Sequence, residues 1–168
     1  MPEVACPKFS ISHHHTATLL YLSMGKTNDH QDADGWYERE RPHRAAAEGN
    51  LDELRRLLAA GGQALGAFDD LGRTPLHYAV EGEHYRVAQW LIQQGAMVNA
   101  HDEPTIGETP LALAVRRDYP EMVELLLAHG ADPDITGWMG NTARMRAQRR
   151  TDEDGKAIAA LVQRYRPR

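Results

Sequence analysis

The segment Thr74-Pro75-Leu76 returns 35 residues later as Thr109-Pro110-Leu111, and Gly95-Ala96 returns at the same spacing as Gly130-Ala131. This internal period constrains the fold more than any other feature, because a unit of that length cannot bury its apolar face alone and must stack on its neighbours. The pattern extends in both directions. Gly107-Glu108-Thr109 recurs 33 residues on as Gly140-Asn141-Thr142. His77 has a counterpart 34 residues earlier in His43, followed by Ala45-Ala46 and a Leu54, Leu57, Leu58 face.

Each unit reads as two short helices. Thr74 and Pro75 open the first, since a Thr hydroxyl can satisfy an orphan N–H at a helix start and Pro in the first turn forfeits no hydrogen bond. Gly82 ends that helix early. A second amphipathic run sets Val87, Ala88, Leu91 and Ile92 on one face, and Gly95 closes it as a left-handed cap. The next unit follows the same plan, with Leu111, Leu113 and Ala114 in its inner helix and Met122, Val123, Leu126 and Leu127 in its outer one, where Pro120 falls in the first turn. In the earlier unit Asn50 suits an N-cap, and Asp52-Glu53 suit the positive end of the helix dipole.

A Thr-Pro-Leu-His core repeated at about 33 residues is the pattern of the ankyrin repeat, and from about His43 to the C-terminus this sequence resembles that family. The resemblance implies an all-α solenoid of about four helix-pair repeats joined by β-hairpin-like fingers, with repeats at about 42–68, 69–101, 102–136 and 137–168 of a domain spanning 36–168. It also implies that His77 is a structural hydrogen bonder between neighbouring turns, and that Ala112, which stands where His is usual, leaves one such bond missing. The chain departs from the family at Gly61-Gly62-Gln63-Ala64, where Gly-Ala-Asp is usual. The second finger carries two extra residues within 101–106, and insertions of this kind fall in loops that often form the binding face. The last unit has Ala143 for Pro and Arg144 for Leu, and the apolar face of 157–162 can close the core, as a cap requires.

Residues 1–41 do not share the repeat, and 1–35 are expected to be a disordered N-terminal extension. Met24 is an alternative start, which would make the preceding residues an upstream extension. The apolar run 17–22 is too short, and too weakly preceded by positive charge, for a signal peptide. His13-His14-His15 lack further ligands at structured spacing and read as solvated, so no metal and no cofactor are expected. Trp36-Tyr37 begin a capping helix in this reading. The single Cys6 fits a reducing, cytoplasmic location, and no stretch approaches the roughly 18 apolar residues of a membrane span.

The net charge of −5 is unevenly spread. Residues 141–168 hold eight Lys or Arg against three Asp or Glu, whereas the preceding 140 hold eleven against twenty-one. Two readings stand: Arg residues solvating the outer face of a capping repeat, or a patch that steers an acidic partner. Nucleic acid is not expected as a partner, because the acidic body opposes approach and no aromatics interleave with the basic residues.

No Gly-rich phosphate loop, paired-Cys metal site or nucleophile elbow is present, so an enzyme is not expected. Finger tips and exposed inner-helix positions instead offer a surface for another protein: Phe68, Asp69, Asp70, Leu71 and Arg73, then Tyr78 and Glu81, His101, Asp102, Glu103 and Ile106, Arg116 and Arg117, and finally Trp138, Met139 and Asn141. Charge to orient and apolar anchors to hold suit protein recognition. Trp138 either folds back onto the last helix pair or stands out as an anchor. The terminal segments also resemble those of short stand-alone bacterial ankyrin proteins of toxin-immunity type. That resemblance implies a small monomeric inhibitor occluding a partner, a toxin or an enzyme, with a general adaptor tethering two proteins as the alternative.

Overall fold

A computed structural model describes residues 36–60, 65–102 and 107–165, with the backbone alone described for Trp36 and Trp138. The expectations for 1–35 and for the Gly61–Ala64 irregularity lie outside the described residues. A short α1 (Trp36–Arg39) precedes four helix pairs. The inner helices are α2 (Arg41–Ala47), α4 (Pro75–Glu81), α6 (Pro110–Arg116) and α8 (Ala143–Gln148). Their outer partners are α3 (Leu51–Ala59), α5 (Tyr85–Gln93), α7 (Pro120–Ala128) and α9 (Glu153–Arg164).

Side-chain oxygens cap four of the described helix starts. Asn50 accepts the Glu53 N–H at 3.0 Å, Thr109 the Ala112 N–H at 3.2 Å, Thr142 the Met145 N–H at 3.1 Å and Asp152 the Gly155 N–H at 3.1 Å. Outer helices α5 and α7 end in paired Schellman bonds: Gly95 and Gly130, at φ of +89° and +87°, donate to Ile92 and Leu127, while Ala96 and Ala131 donate to Leu91 and Leu126. Both glycines were legible as caps because only glycine enters this backbone region without a Cβ penalty.

The joint between inner and outer helices uses the same left-handed turn at Gly49, Glu83 and Asp118. Gly49 is obligatory. A Cβ there would meet the His84 ring at 2.7 Å, and His84 spans back to accept its place against the Ala47 carbonyl, 2.9 Å from Nε2. Glu83, at φ +58°, has no such excuse and carries a strained backbone. Glu83→Gly is therefore expected to stabilise the fold by about 0.5–1 kcal/mol, strain relief outweighing the added chain entropy. A rise in urea midpoint at constant m checks it, and an unchanged or lower midpoint refutes it.

The inner helices pack in series, α2 on α4, α4 on α6 and α6 on α8, each with its outer helix behind, and α9 closes against α7 and α8. Leu76, Val80, Leu91, Leu111, Leu113, Met122, Val123, Leu126 and Ile158 are fully buried in one continuous cluster. Alanines at Ala46, Ala79, Ala114 and Ala147 let the inner helices approach closely. The all-α stack of helix pairs expected from the period is what the structure shows. The fingers are simpler than expected: among the described residues there is no strand, only one antiparallel bridge between Thr136 and Thr142.

Candidate partner-binding surface

Each finger is a turn closed by its own backbone. In the first, Asp69 N–H donates to the Arg73 carbonyl at 2.9 Å and Gly72 N–H to the Asp69 carbonyl at 3.0 Å. The third repeats this in register, Gly137 N–H to the Asn141 carbonyl at 3.0 Å and Gly140 N–H to Gly137 at 3.1 Å. The second closes differently, Gly107 N–H to the Asp102 carbonyl at 2.8 Å, because two inserted residues lengthen its loop. Glu103 and Ile106, both expected on the surface, lie outside the described residues, as does the Trp138 side chain.

Asp69 is the staple of the first finger. Its carboxylate accepts the N–H groups of Leu71 at 3.0 Å and Arg73 at 2.8 Å, and the Tyr78 hydroxyl at 2.6 Å. Burial, and then the bond to Asp69, push the Tyr78 hydroxyl well above its ordinary titration range. The Arg73 guanidinium lies 5.7 Å from the Tyr78 ring centroid.

A ladder of alternating charge crosses the inner-helix face. Glu81 takes Arg73 at 2.5 Å, Arg116 at 3.4 Å and Arg117 at 3.7 Å. Glu108 takes Arg116 at 3.1 Å and also Arg146 from the last pair. Asp118 takes Arg150, and Asp134 takes Arg144 at 2.7 Å. The surplus of arginine in the last repeat is thus matched against surplus acid in the body, and it latches the capping pair to its neighbour. Neither a solvated outer face nor a steering patch describes Arg144, Arg146 and Arg150, because tertiary contacts bring together charges far apart in the chain. Arg149 bonds the Asn141 side chain at 3.2 Å.

Arg73, Asp69, Tyr78, Glu81, Arg116 and Arg117 all have partners within the fold, and Arg116 and Arg117 remain exposed. His101 has Nδ1 at 3.0 Å from the Asn99 carbonyl and, like Asp102 and Asn141, is half-buried. What stands out from the fingers is apolar. Leu71 is 67% exposed, Met139 75% and Phe68 43%, with Asp70 exposed beside them. Leu71 and Met139 are equivalent positions, each followed by Gly and three residues before the Thr that starts an inner helix. Met139 holds φ +57° at the turn. Ile106 shares that sequence position in the second unit.

His77 is buried and bridges two units. Thr74 N–H donates to its Nδ1 at 3.0 Å and the Thr74 hydroxyl lies 2.8 Å from the same nitrogen, so Nε2 carries the proton and donates to the Glu108 carbonyl at 2.8 Å. Burial disfavours the imidazolium and lowers its pKa to about 4. His43 makes the equivalent reach to the Ala67 carbonyl at 3.0 Å, but Glu40 stands where Thr74 would, and its Nδ1 has no partner among the described residues. Ala112 cannot make such a bond at all.

Sequence reasoning missed Asn99, whose side chain donates to the Gly130 carbonyl at 3.0 Å and accepts the Asp132 N–H at 2.8 Å, tying two loops together. A signal existed: Asn99 and Asp134 each stand four residues past the capping glycine, and Asp134 also reaches forward, to Arg144. Met97, half-exposed beside Gly66, was missed too. Among the described residues no cluster of His, Cys, Asp or Glu could hold a metal ion, and no helix is long and apolar enough to cross a membrane.

The sequence profile of the family described as "Ankyrin repeats (3 copies)" matches residues 9–102 and 42–137. A putative E3 ubiquitin-protein ligase, XBAT34, of Arabidopsis thaliana is 44% identical over 73 residues, 43% of this chain and 19% of the relative. The palmitoyltransferase akr1 of Neurospora crassa is 39% identical over 95 residues, 56% of this chain and 13% of the relative. The human transient receptor potential cation channel subfamily A member 1 is 32% identical over 124 residues, 73% of this chain and 11% of the relative. The chain thus spans between a tenth and a fifth of the length of these relatives.

Proposed function

The chain belongs to the ankyrin-repeat family, and from that premise we propose that it is a non-catalytic protein-binding module which docks a partner through its finger tips. The observation that carries this is the exposure of Leu71 and Met139 at equivalent positions of two fingers, with Phe68 alongside. Large apolar side chains held out on closed turns bury area on docking without ordering the loop that carries them, whereas the inner-face charges already pair with one another. Charged groups pre-oriented in the ladder still shape the approach of a partner. The proposed mode of action is inhibition: the array covers a functional surface of its partner, of which a basic toxin or an enzyme is the type suited to an acidic body. A monomeric state and a cytoplasmic location, the latter supported by the single Cys6, belong to the same proposal.

A second reading, an adaptor that tethers two proteins, is favoured by the relatives, in which the matched segment is a small part of a much longer chain. One experiment separates them. Affinity purification from the source cells is expected to return a protein that the Leu71→Asp/Met139→Asp double variant fails to retain, with at least a tenfold loss of affinity and a melting temperature within about 2 °C of the parent, since both side chains are exposed. The activity of the recovered partner should fall stoichiometrically as the protein is added. Undiminished activity together with a third protein in the same complex supports the adaptor. Equal retention by the double variant rejects the finger-tip surface.

A further inference from the structure

On the outer-helix side, away from the finger tips, lies an open groove of about 510 Å³ between α5 and α7, lined by Tyr85, Tyr119, Glu121, Glu124, Leu125 and Ala128. Its origin is a local exception to the repeat. Tyr119 stands where the preceding unit has His84, which tucks over Gly49 and lies 2.9 Å from the Ala47 carbonyl. At the next joint Glu83, at φ +58°, stands in the place of Gly49 and carries a Cβ where Gly49 has none. Tyr119 lines the groove together with Tyr85. Both rings pack partly on the core, which holds them in place.

The charge around these rings is uncompensated. The inner-face acids Glu81 and Glu108 are each held by two or more arginines, but Glu83, Glu121 and Glu124 have no basic partner among the described residues. Glu121 and Glu124 are exposed. Partial burial, and then the Glu121 and Glu83 carboxylates, raise the Tyr119 hydroxyl above its ordinary range. Two aromatic faces with carboxylates at the rim and an aliphatic floor from Leu125 and Ala128 match one chemistry: a cationic side chain whose stem lies on apolar surface, whose charge meets the rings, and whose N–H groups reach acceptors.

We propose that the Tyr85/Tyr119 groove with Glu121 and Glu124 is a second docking site, which takes an arginine or lysine side chain from a basic segment of a partner protein. The site does not depend on the finger-tip reading, and it uses the opposite helix layer. A planar guanidinium, able to stack and to bond a carboxylate bidentately, fits better than an ammonium.

The test is fluorescence anisotropy with the intact chain and a fluorescein-labelled peptide carrying arginine at alternate positions, set against the same peptide with lysine and with alanine. Binding is expected in the order arginine, lysine, alanine. Glu121→Gln with Glu124→Gln should weaken the arginine peptide at least tenfold, and Tyr119→Leu at least fivefold. The control Glu48→Gln with Asp154→Asn, which removes the same charge from exposed positions elsewhere, should change it less than twofold. Should the Tyr119 variant melt early, the Gln pair decides alone, because its positions are exposed. Equal weakening by the control reveals diffuse attraction to an acidic body and overturns the site, as does an absence of binding or indifference to the Gln pair.

Discussion

His77→Ala is expected to lower the unfolding free energy at pH 7 by about 3–5 kcal/mol and to remove the part of the fold's acid sensitivity that this ring contributes. The first effect follows from what the ring holds. Its loss leaves the Thr74 N–H and the Glu108 carbonyl without partners in the interior, each costing about 1–3 kcal/mol, and opens a void where a 1%-exposed side chain stood. The second follows from linkage. His77 titrates near 4 in the fold against about 6.5 unfolded, so between those values the unfolded chain binds more protons. Stability from this group is complete above about pH 6.5 and falls as pH drops towards 4, by about 2–3 kcal/mol at pH 4.5. Urea midpoints at pH 7 and 4.5 check both claims: the gap between the two pH values should shrink in the variant by that amount. An unchanged gap would show that the ring does not resist protonation.

The other large effect is in the spine. Leu126→Ala is expected to cost about 2–5 kcal/mol, the range for truncating a fully buried leucine in a core that cannot collapse around the hole. Leu126 lies in the same place in its unit as Leu91, 35 residues earlier, and both carbonyls also accept the closing Schellman bond. The two truncations should therefore agree within about 1 kcal/mol. Leu58, on the same helical face in the sequence pattern but 36% exposed, should cost less than about 1 kcal/mol. Equilibrium urea unfolding of the three variants decides it. A Leu126 variant as stable as the parent would mean that the units do not share one core.

The contrast between Leu126 and Leu58 shows how far pattern alone carries. Periodicity identified the helix pairs, their caps at Gly95 and Gly130 and most of the buried aliphatics, because each depends on neighbours within one turn, though it did not identify Leu65, Val80, Val115 or Leu125. It could not show which charges pair. Arg73, Glu81, Arg116 and Arg117, expected on the binding surface, also form ion pairs with one another, and Arg146 and Arg150 pair with acids of the preceding unit. Stacking places α4, α6 and α8 side by side, and these residues neutralise one another across that face. The Tyr119 groove was invisible for the same reason, and the role of Asn99 had only its place after the capping glycine to mark it.

Along the chain, the spacing of Thr-Pro starts, glycine stops and apolar faces was enough to dictate an ankyrin stack, because a solenoid needs only short-range order and identical neighbours. Which polar side chains remain available to a partner was decided in three dimensions. An ion pair or a filled seat under a ring depends on distances between separate units, and no local rule of residue type contains that information.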